Sequence, residues 1–406
     1  MTPEASAPET SLRFHDLLVQ GAPEYLARFG ATMPSRQRQV LHRIVDCRTA
    51  VLGGRLYICP QCGLSHYAYH SCNDRHCPQC GQQDADQWLE AQSSRLLPVD
   101  YFLVTFTVPE GLRGWMRSQP QLGYDALFAA SARALLDLAA NPRRLGAQLG
   151  MWGVLHTWTR TLIYHPHIHY LVPAGGLSLD GQRWVDTRSE FLVRVEPLSD
   201  HFRTCFRHWL EEHAPTALAA ISPQVWQQRW VTYSKPAGSG QSALRYLSRY
   251  VFQTATGNRR LTELPDGRVL WKYRESQSRK WLTIPLEKQE LIRRFLQHVL
   301  PAGYHRVRRF GWLHPAAKTR RERVELLLGK AEIAPADTAA DPPLDAVEED
   351  PFPKPANLND PVSAVSAIRK TFTCPRCAQP MCWIGSVWRG CAGRRPGPAR
   401  APPPPG

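Results

Sequence analysis

The pentapeptide Cys-Pro-Gln-Cys-Gly occurs twice in close succession, at Cys59–Gly63 and Cys77–Gly81. A Cys-x-x-Cys turn presents two thiolates to one ion, and the glycine behind it lets the backbone close beneath the metal. Two such turns supply the four sulfurs of a closed tetrahedral site. Cys59, Cys62, Cys77 and Cys80 are therefore the expected ligands of a structural Zn2+. Cys47, Cys72, His66, His70 and His76 lie near enough in sequence to replace a ligand or to stay outside the shell. Cys-x-x-Cys also serves disulfide exchange, but its doubling outside a thioredoxin-like pattern favours metal. Five of the 11 cysteines fall between Cys59 and Cys80, which argues for zinc over a disulfide framework in an intracellular chain. A closed site of this kind holds a fold together and is not the catalyst.

With 406 residues the chain can bury two or three cores. Residues 1–97 read as a small helical unit: Phe14, Leu17 and Leu18 recur between polar residues, the cysteine segment follows, and Gln82–Leu97 leads out of it as a helix. Tyr101–Val108 has the apolar, β-branched character of a buried strand, and helices then run to about Ala140, where Asn141-Pro142 stops them. Trp152–Trp158, Ile168–Val172, Arg229–Ser234, Arg268–Tyr273 and Lys280–Ile284 read as further strands. Ser242–Gln253 and Glu287–Val299 read as helices. Strands interleaved irregularly with helices favour an α+β class over a doubly wound parallel sheet. This second unit is expected over residues 98–315. A basic segment and a Pro-, Ala- and Asp-rich linker follow over 316–373, then a Cys374-Pro-Arg-Cys377 tail over 374–406, expected to be largely disordered. Cys374 and Cys377 make half a zinc site, with Cys382 and Cys391 as candidates to complete it.

A formal charge of +15 makes polyanions the natural partners. The excess falls outside Asp337–Asp360, which holds seven acids and one lysine. Thirteen each of Trp, Tyr and Phe supply flat faces on which unpaired bases can stack. The longest apolar runs are far too short to span a bilayer, and no N-terminal stretch has the make-up of a secretion signal. The expected setting is cytoplasmic and nucleoid-associated, with no membrane partner.

Chemistry is expected at two places. In His165-Pro166-His167-Ile168-His169, alternation on an extended chain turns His167 and His169 to one face and Ile168 into the core. Two imidazoles on adjacent same-face positions form a compact pair of metal ligands that leaves coordination positions open, as a catalytic ion requires. His165 shares their parity but precedes Pro166, and His156 on the preceding strand is a neighbour suited equally to a core or hydrogen-bonding role. The second place is the Ser242–Gln253 helix, where Tyr246 and Tyr250 lie one turn apart on one face. Leu244, Leu247 and Val251 form a separate apolar stripe, and Arg245 and Arg249 a third row. Tyrosines at helical spacing are usually core, but here another stripe supplies the core. A phenol attacks a phosphodiester only if its proton leaves and the phosphate charge is neutralised.

Taken in order, the double cysteine knuckle, the His-x-His strand and the Tyr-x-x-x-Tyr helix resemble the two-tyrosine HUH transposases of the insertion-sequence-ninety-one family. The likeness extends to Asn73-Asp74-Arg75-His76-Cys77-Pro78-Gln79-Cys80, to Leu155-His156-Thr157-Trp158, to Gly257-Asn258-Arg259-Arg260 and to Phe295-Leu296-Gln297-His298-Val299-Leu300-Pro301. It covers roughly residues 10–315, and Cys374–Cys377 echoes the family's tail. The resemblance implies an HUH endonuclease-like antiparallel sheet with flanking helices and the histidine strand at its centre, preceded by a small helical zinc-binding domain. It implies Mg2+ or Mn2+ on His167 and His169, with Tyr246 and Tyr250 as nucleophiles. The implied activity is nicking and rejoining of single-stranded DNA at transposon ends and target through a 5′-phosphotyrosine, during rolling-circle transposition. A third protein ligand is usual in such chemistry, and Gln253, His165 and His156 are candidates. The competing readings are a rolling-circle replication initiator and a non-catalytic, zinc-dependent DNA-binding protein.

Overall fold

The computed structural model describes residues 12–187, 192–252, 260–275, 278, 280–329 and 372–387, without the side chains of 81–86 and 249–252. The chain opens with α1 (Phe14–Phe29) and α2 (Ser35–Val45), which bury Phe14, Leu17 and Leu18 together with Val40, Leu41 and Ile44 in one cluster. The hairpin β1 (Gly54–Ile58) and β2 (Ser65–Tyr69) carries the first cysteine pentapeptide at its tip, and the second leads into α3 (Gly81–Ser93). Next come β3 (Tyr101–Thr107), α4 (Glu110–Ser118), α5 (Pro120–Ala140) and the short β4 (Ala147–Gln148). The long strands β5 (Gly150–Trp158) and β6 (Tyr164–Pro173) precede β7 (Gly175–Ser178) and β8 (Trp184–Asp186). Helices α6 (Val195–His213), α7 (Pro215–Ala220) and α8 (Gln224–Gln227) lead to β9 (Val231–Pro236) and α9 (Gln241–Phe252). A three-stranded antiparallel sheet of β10 (Leu261–Glu263), β11 (Val269–Arg274) and β12 (Trp281–Leu286) follows, then α10 (Lys288–Leu296), β13 (Val307–Gly311) and α11 (Lys318–Leu327). The last described elements are β14 (Phe372–Thr373) and β15 (Pro380–Val387).

The central sheet runs β13-β5-β6-β3-β9, every pair antiparallel, with the histidine strand in the middle. This is the expected α+β class. One face, with Val104, Phe106, Leu155, Ile168, Tyr170 and Val172, packs with α5 and α6 into the largest core. Gly153 belongs to that face: a β-carbon there would come within 2.6 Å of the Tyr170 ring. The other face, with Leu103, Trp152, Val154 and Leu171, buries Ala243, Leu244 and Leu247 of α9. Each buried leucine or valine side chain here contributes about 1.5–3 kcal/mol. Because successive side chains alternate, His167 and His169 share the α9 side with Leu171. The strand begins earlier than Ile168, at Tyr164. Pro166 is tolerated because pairing with β5 shifts register between His156 and Trp158, where its missing N–H interrupts no regular rung.

The cysteine-bearing part is joined by polar contacts to the segment between α10 and β13. Arg75 donates to the Tyr304 carbonyl (2.7 Å), and the Leu300 N–H donates to His76 Nε2 (3.2 Å). His76 must then carry its proton on Nδ1, which donates to Asp74 (2.8 Å). Arg36 and Arg43 approach the same carboxylate at 3.4 Å. Burial pushes Asp74 up, but these hydrogen bonds and charges outweigh it and hold the carboxyl ionised against a neutral His76. Helix α3 also packs on α9, bringing Trp88 and Leu89 against the cluster that contains Leu244 and Leu247.

His298 makes stability sensitive to acid. Its Nε2–H donates to the Leu162 carbonyl (3.2 Å), and Nδ1 lies 3.3 Å from the Thr157 hydroxyl, in a fully buried setting. Burial lowers its pKa to about 3. The unfolded chain takes up this proton near pH ~6.5, so the contribution is complete above that value and is lost as pH falls towards 3. Denaturant midpoints measured from pH 7 to 5 should fall, and His298→Asn should make that slope shallower by up to about 1.4 kcal/mol per pH unit. An unchanged slope would show that the histidine is not held neutral.

Candidate metal centres and active site

The two cysteine pentapeptides fall into separate four-cysteine groups. Cys77 and Cys80 gather with Cys47 and Cys72, while Cys59 and Cys62 gather with Cys374 and Cys377, all sulfurs of each group lying within 4.8 Å of one another. The expected single site of Cys59, Cys62, Cys77 and Cys80 is corrected accordingly. The reason is the hairpin: Cys59 and Cys62 sit at its tip, whereas Cys72, Cys77 and Cys80 follow its base. The strand between them spans roughly 16 Å at about 3.3 Å per residue. Cys382 does not complete the C-terminal half-site; it is exposed on β15 opposite Ile58, and Cys391 lies outside the described residues. β15 lies in the segment expected to be a largely disordered tail, and β14 at the end of the expected linker.

In the first group, Sγ separations are 3.5 Å for Cys47–Cys80 and 3.7 Å for Cys72–Cys80. A tetrahedral ion with bonds of about 2.3 Å places sulfurs roughly 3.8 Å apart, far from the ~2.05 Å of a disulfide. The donor set and spacing therefore fit zinc. Hydrogen bonding with Cys47 and its neighbours pulls the Cys80 thiol down and pushes Cys77 up.

Three imidazoles converge on the α9 side of the central sheet. His156 on β5 lies opposite His167 on β6, and the ligand nitrogens of His156, His167 and His169 are within 4.8 Å of one another. His167 Nδ1 donates to the His165 carbonyl (2.7 Å), which fixes its tautomer and leaves the Nε2 lone pair for an ion. His169 Nδ1 is paired with Thr105 Oγ1 at 2.8 Å, while its buried Nε2 has no hydrogen-bond partner among the described residues. An orphaned, buried acceptor facing two other imidazoles is what a divalent cation would satisfy, so the residues fit a metal. His165 lies 5.2 Å from His167, ring to ring, but does not enter the group. Gln253 lies outside the described residues.

Burial drives all three imidazoles to the neutral form. His167 is lowered to about 4, and His156 and His169 lie well below the ordinary range. Neighbouring positive groups add to the effect: Arg306 acts on His156, Arg113 on His167 and Lys235 on His169. Arg306 is itself buried beneath Trp158 and, at about 10, stays charged at neutral pH. Among the described residues, no carboxylate joins the group.

Tyr246, half-buried on α9, faces this cluster. Its ring centroid is 5.8 Å from that of His169 and 6.3 Å from that of His156. Ala243, Leu244, Leu247 and Ser248 are buried on the helix's inner side, and Arg245 is exposed. Tyr250 belongs to the same helix; its side chain, with those of Arg249 and Val251, lies outside the described residues.

A family model described as "Transposase zinc-binding domain" matches residues 17–108, and one described as "Putative transposase" matches residues 150–322. "Putative transposase y4qJ" of Sinorhizobium fredii is 38% identical over 330 residues, 76% of this chain and 82% of that protein. The chain belongs to the insertion-sequence-ninety-one family of transposases. "Transposase for insertion sequence element IS801" of Pseudomonas savastanoi pv. phaseolicola is 28% identical over 298 residues, 68% of this chain and 70% of that protein. No solved structure matches. In this transposase, the first matched segment contains Cys47, Cys72, Cys77 and Cys80, and the second contains the three imidazoles and Tyr246. Cys374 and Cys377 fall outside both. No helix among the described residues is long and apolar enough to cross a membrane.

Two residues of this cluster escaped sequence reasoning in part. His156 was one of three candidates for a third ligand, with Gln253 and His165, and could not be singled out because its partner across the sheet depends on register, which local sequence does not carry. Thr105 gave no signal. It lies opposite His169 in the β3–β6 ladder, and only that pairing brings its hydroxyl to Nδ1.

Proposed function

We propose that this transposase cleaves and rejoins single-stranded DNA with Tyr246 and Tyr250 as nucleophiles, next to a divalent ion held by His156, His167 and His169. The observation that carries this reading is the approach of the Tyr246 ring to His156 and His169. The imidazoles enter the site neutral, two of them with the second nitrogen engaged, and so offer oriented lone pairs. An ion bound there would supply positive charge to the non-bridging oxygens of a scissile phosphate. An all-nitrogen set suits Mn2+ better than Mg2+, which prefers oxygen ligands. The Tyr246 oxygen bonds to phosphorus as the bond to the 3′ oxygen breaks, and the proton given up by the phenol is balanced by the one taken up at that leaving oxygen, leaving a 5′-phosphotyrosine and a free 3′-hydroxyl. The phosphodiester count is unchanged, so rejoining needs no nucleotide cofactor. Tyr250, one turn away, holds the second cleaved end during rolling-circle transfer of one strand. Arg113, Lys235 and Arg306 make the surroundings positive, which favours phosphate. Cys47, Cys72, Cys77 and Cys80 hold a structural zinc that sets the start of α3.

The test is incubation of the purified chain with single-stranded oligonucleotides tiling the ends of its element, in Mn2+. A conjugate that survives denaturation is expected, with phosphotyrosine mapped by mass spectrometry to α9, and little product from duplex DNA. DNA binding with no conjugate under any divalent ion would instead indicate a non-catalytic DNA-binding protein.

A further inference from the structure

The second four-cysteine group is assembled from opposite ends of the described chain. Its Sγ separations are 3.5 Å for Cys59–Cys377, 3.6 Å for Cys62–Cys374 and 3.7 Å for Cys62–Cys377. These match the roughly 3.8 Å of a tetrahedral zinc thiolate. The two turns that meet there are copies of one geometry. In each, the first cysteine's N–H donates to the carbonyl five residues on: Cys59 to Leu64 at 2.9 Å, and Cys374 to Gln379 at 2.8 Å. In each, its carbonyl accepts from the N–H four residues on, of Gly63 at 2.9 Å and of Ala378 at 2.9 Å. That fourth residue is left-handed in both, with φ of 70° at Gly63 and 57° at Ala378. The Cys77–Gly81 turn, identical in sequence to the first, instead runs directly into α3. Structural kinship therefore pairs Cys59-Pro-Gln-Cys62 with Cys374-Pro-Arg-Cys377.

The strands agree with this pairing. β15 lies antiparallel to β1, with Gly54 opposite Val387 and Ile58 opposite Cys382, so the sheet runs β14-β15-β1-β2. Phe372 packs 4.7 Å from Tyr57 and 5.1 Å from His66, ring to ring. The core beneath has Tyr57, Cys59, Cys374 and Met381 as its buried members among the described residues. A core of that size does not hold strands together without a staple.

We propose that Cys59, Cys62, Cys374 and Cys377 bind a second Zn2+, which clasps the C-terminal strand to the N-terminal hairpin. Four Zn–S bonds form as four thiol protons are released, with no change of oxidation state. The unit built around β1 and β2 is then completed by a segment that lies outside both matched regions of the family.

The experiment uses the full chain reconstituted with Co2+, whose thiolate charge-transfer absorption reports cysteine sites and not the histidine cluster. Cys374→Ser/Cys377→Ser should keep about half of the wild-type absorption and bind one zinc fewer per chain by mass spectrometry. Cys47→Ser/Cys72→Ser should remove the other half. Cys374→His should restore the zinc count, since three cysteines and a histidine also hold zinc. Equal absorption and zinc content in wild type and the Cys374→Ser/Cys377→Ser variant would overturn the proposal. A second measurement covers a variant that fails to fold. With a protease site inserted between residues 330 and 371 of the otherwise unchanged chain, the cleaved C-terminal fragment should stay bound until a chelator is added. Release without chelator would also overturn the proposal.

Discussion

Changing Tyr246 to phenylalanine should lower formation of the covalent protein–DNA conjugate by at least about 10³-fold, while single-stranded DNA binding stays within about twofold. The substitution removes one oxygen and keeps the ring, so its packing beside Leu244 and Leu247 is preserved. What is lost is the atom proposed to bond to phosphorus, and Ser248 cannot replace it, being buried with its hydroxyl bonded to the Arg245 carbonyl at 2.9 Å. Tyr250→Phe is expected to leave the first cleavage largely intact and to abolish transfer of the second end. Denaturing gels with end-labelled DNA read both outcomes. A conjugate that persists when both tyrosines are phenylalanine would remove them from the chemistry altogether.

The second large effect concerns the ion. His156→Ala should weaken Mn2+ binding, measured by calorimetry, and slow cleavage by about 10²-fold or more, whereas His165→Ala should change both by less than about threefold. The distinction rests on placement. His156 stands opposite His167 and shares the cluster with the buried Nε2 of His169, while His165 contributes its backbone carbonyl to His167. That carbonyl survives in the alanine variant. His156→Gln, which keeps a ligand atom, should recover part of the loss and separate metal binding from simple loss of core packing. Should His165→Ala prove as damaging as His156→Ala, the three-imidazole site would be misassigned.

Much of this arrangement is legible in the sequence, and the exceptions share a physical cause. The period-two alternation of His167, Ile168 and His169 fixes which side of a strand they face. The stripe of Leu244 and Leu247 fixes which side of α9 is buried. Both are local properties. The grouping of the cysteines is not local: two identical pentapeptides suggest one site, but the hairpin separates them and the completing pair comes from residues 374 and 377. Helix α6 carried a readable signal in Leu198, Phe202, Phe206 and Leu210, all buried at helical spacing, yet it was absent from the expected elements. Strand β13 hid behind Arg308 and Arg309, since charges are frequent on an edge strand and mask its pattern.

One polypeptide rod, α3, touches sulfur at one end and supports the tyrosine helix along its length. Severing the chain after residue 97 would therefore not yield two independent working parts. The downstream piece would lose the helix that packs on α9, where the proposed nucleophiles sit, and a separately supplied upstream piece would have to re-dock to restore that support.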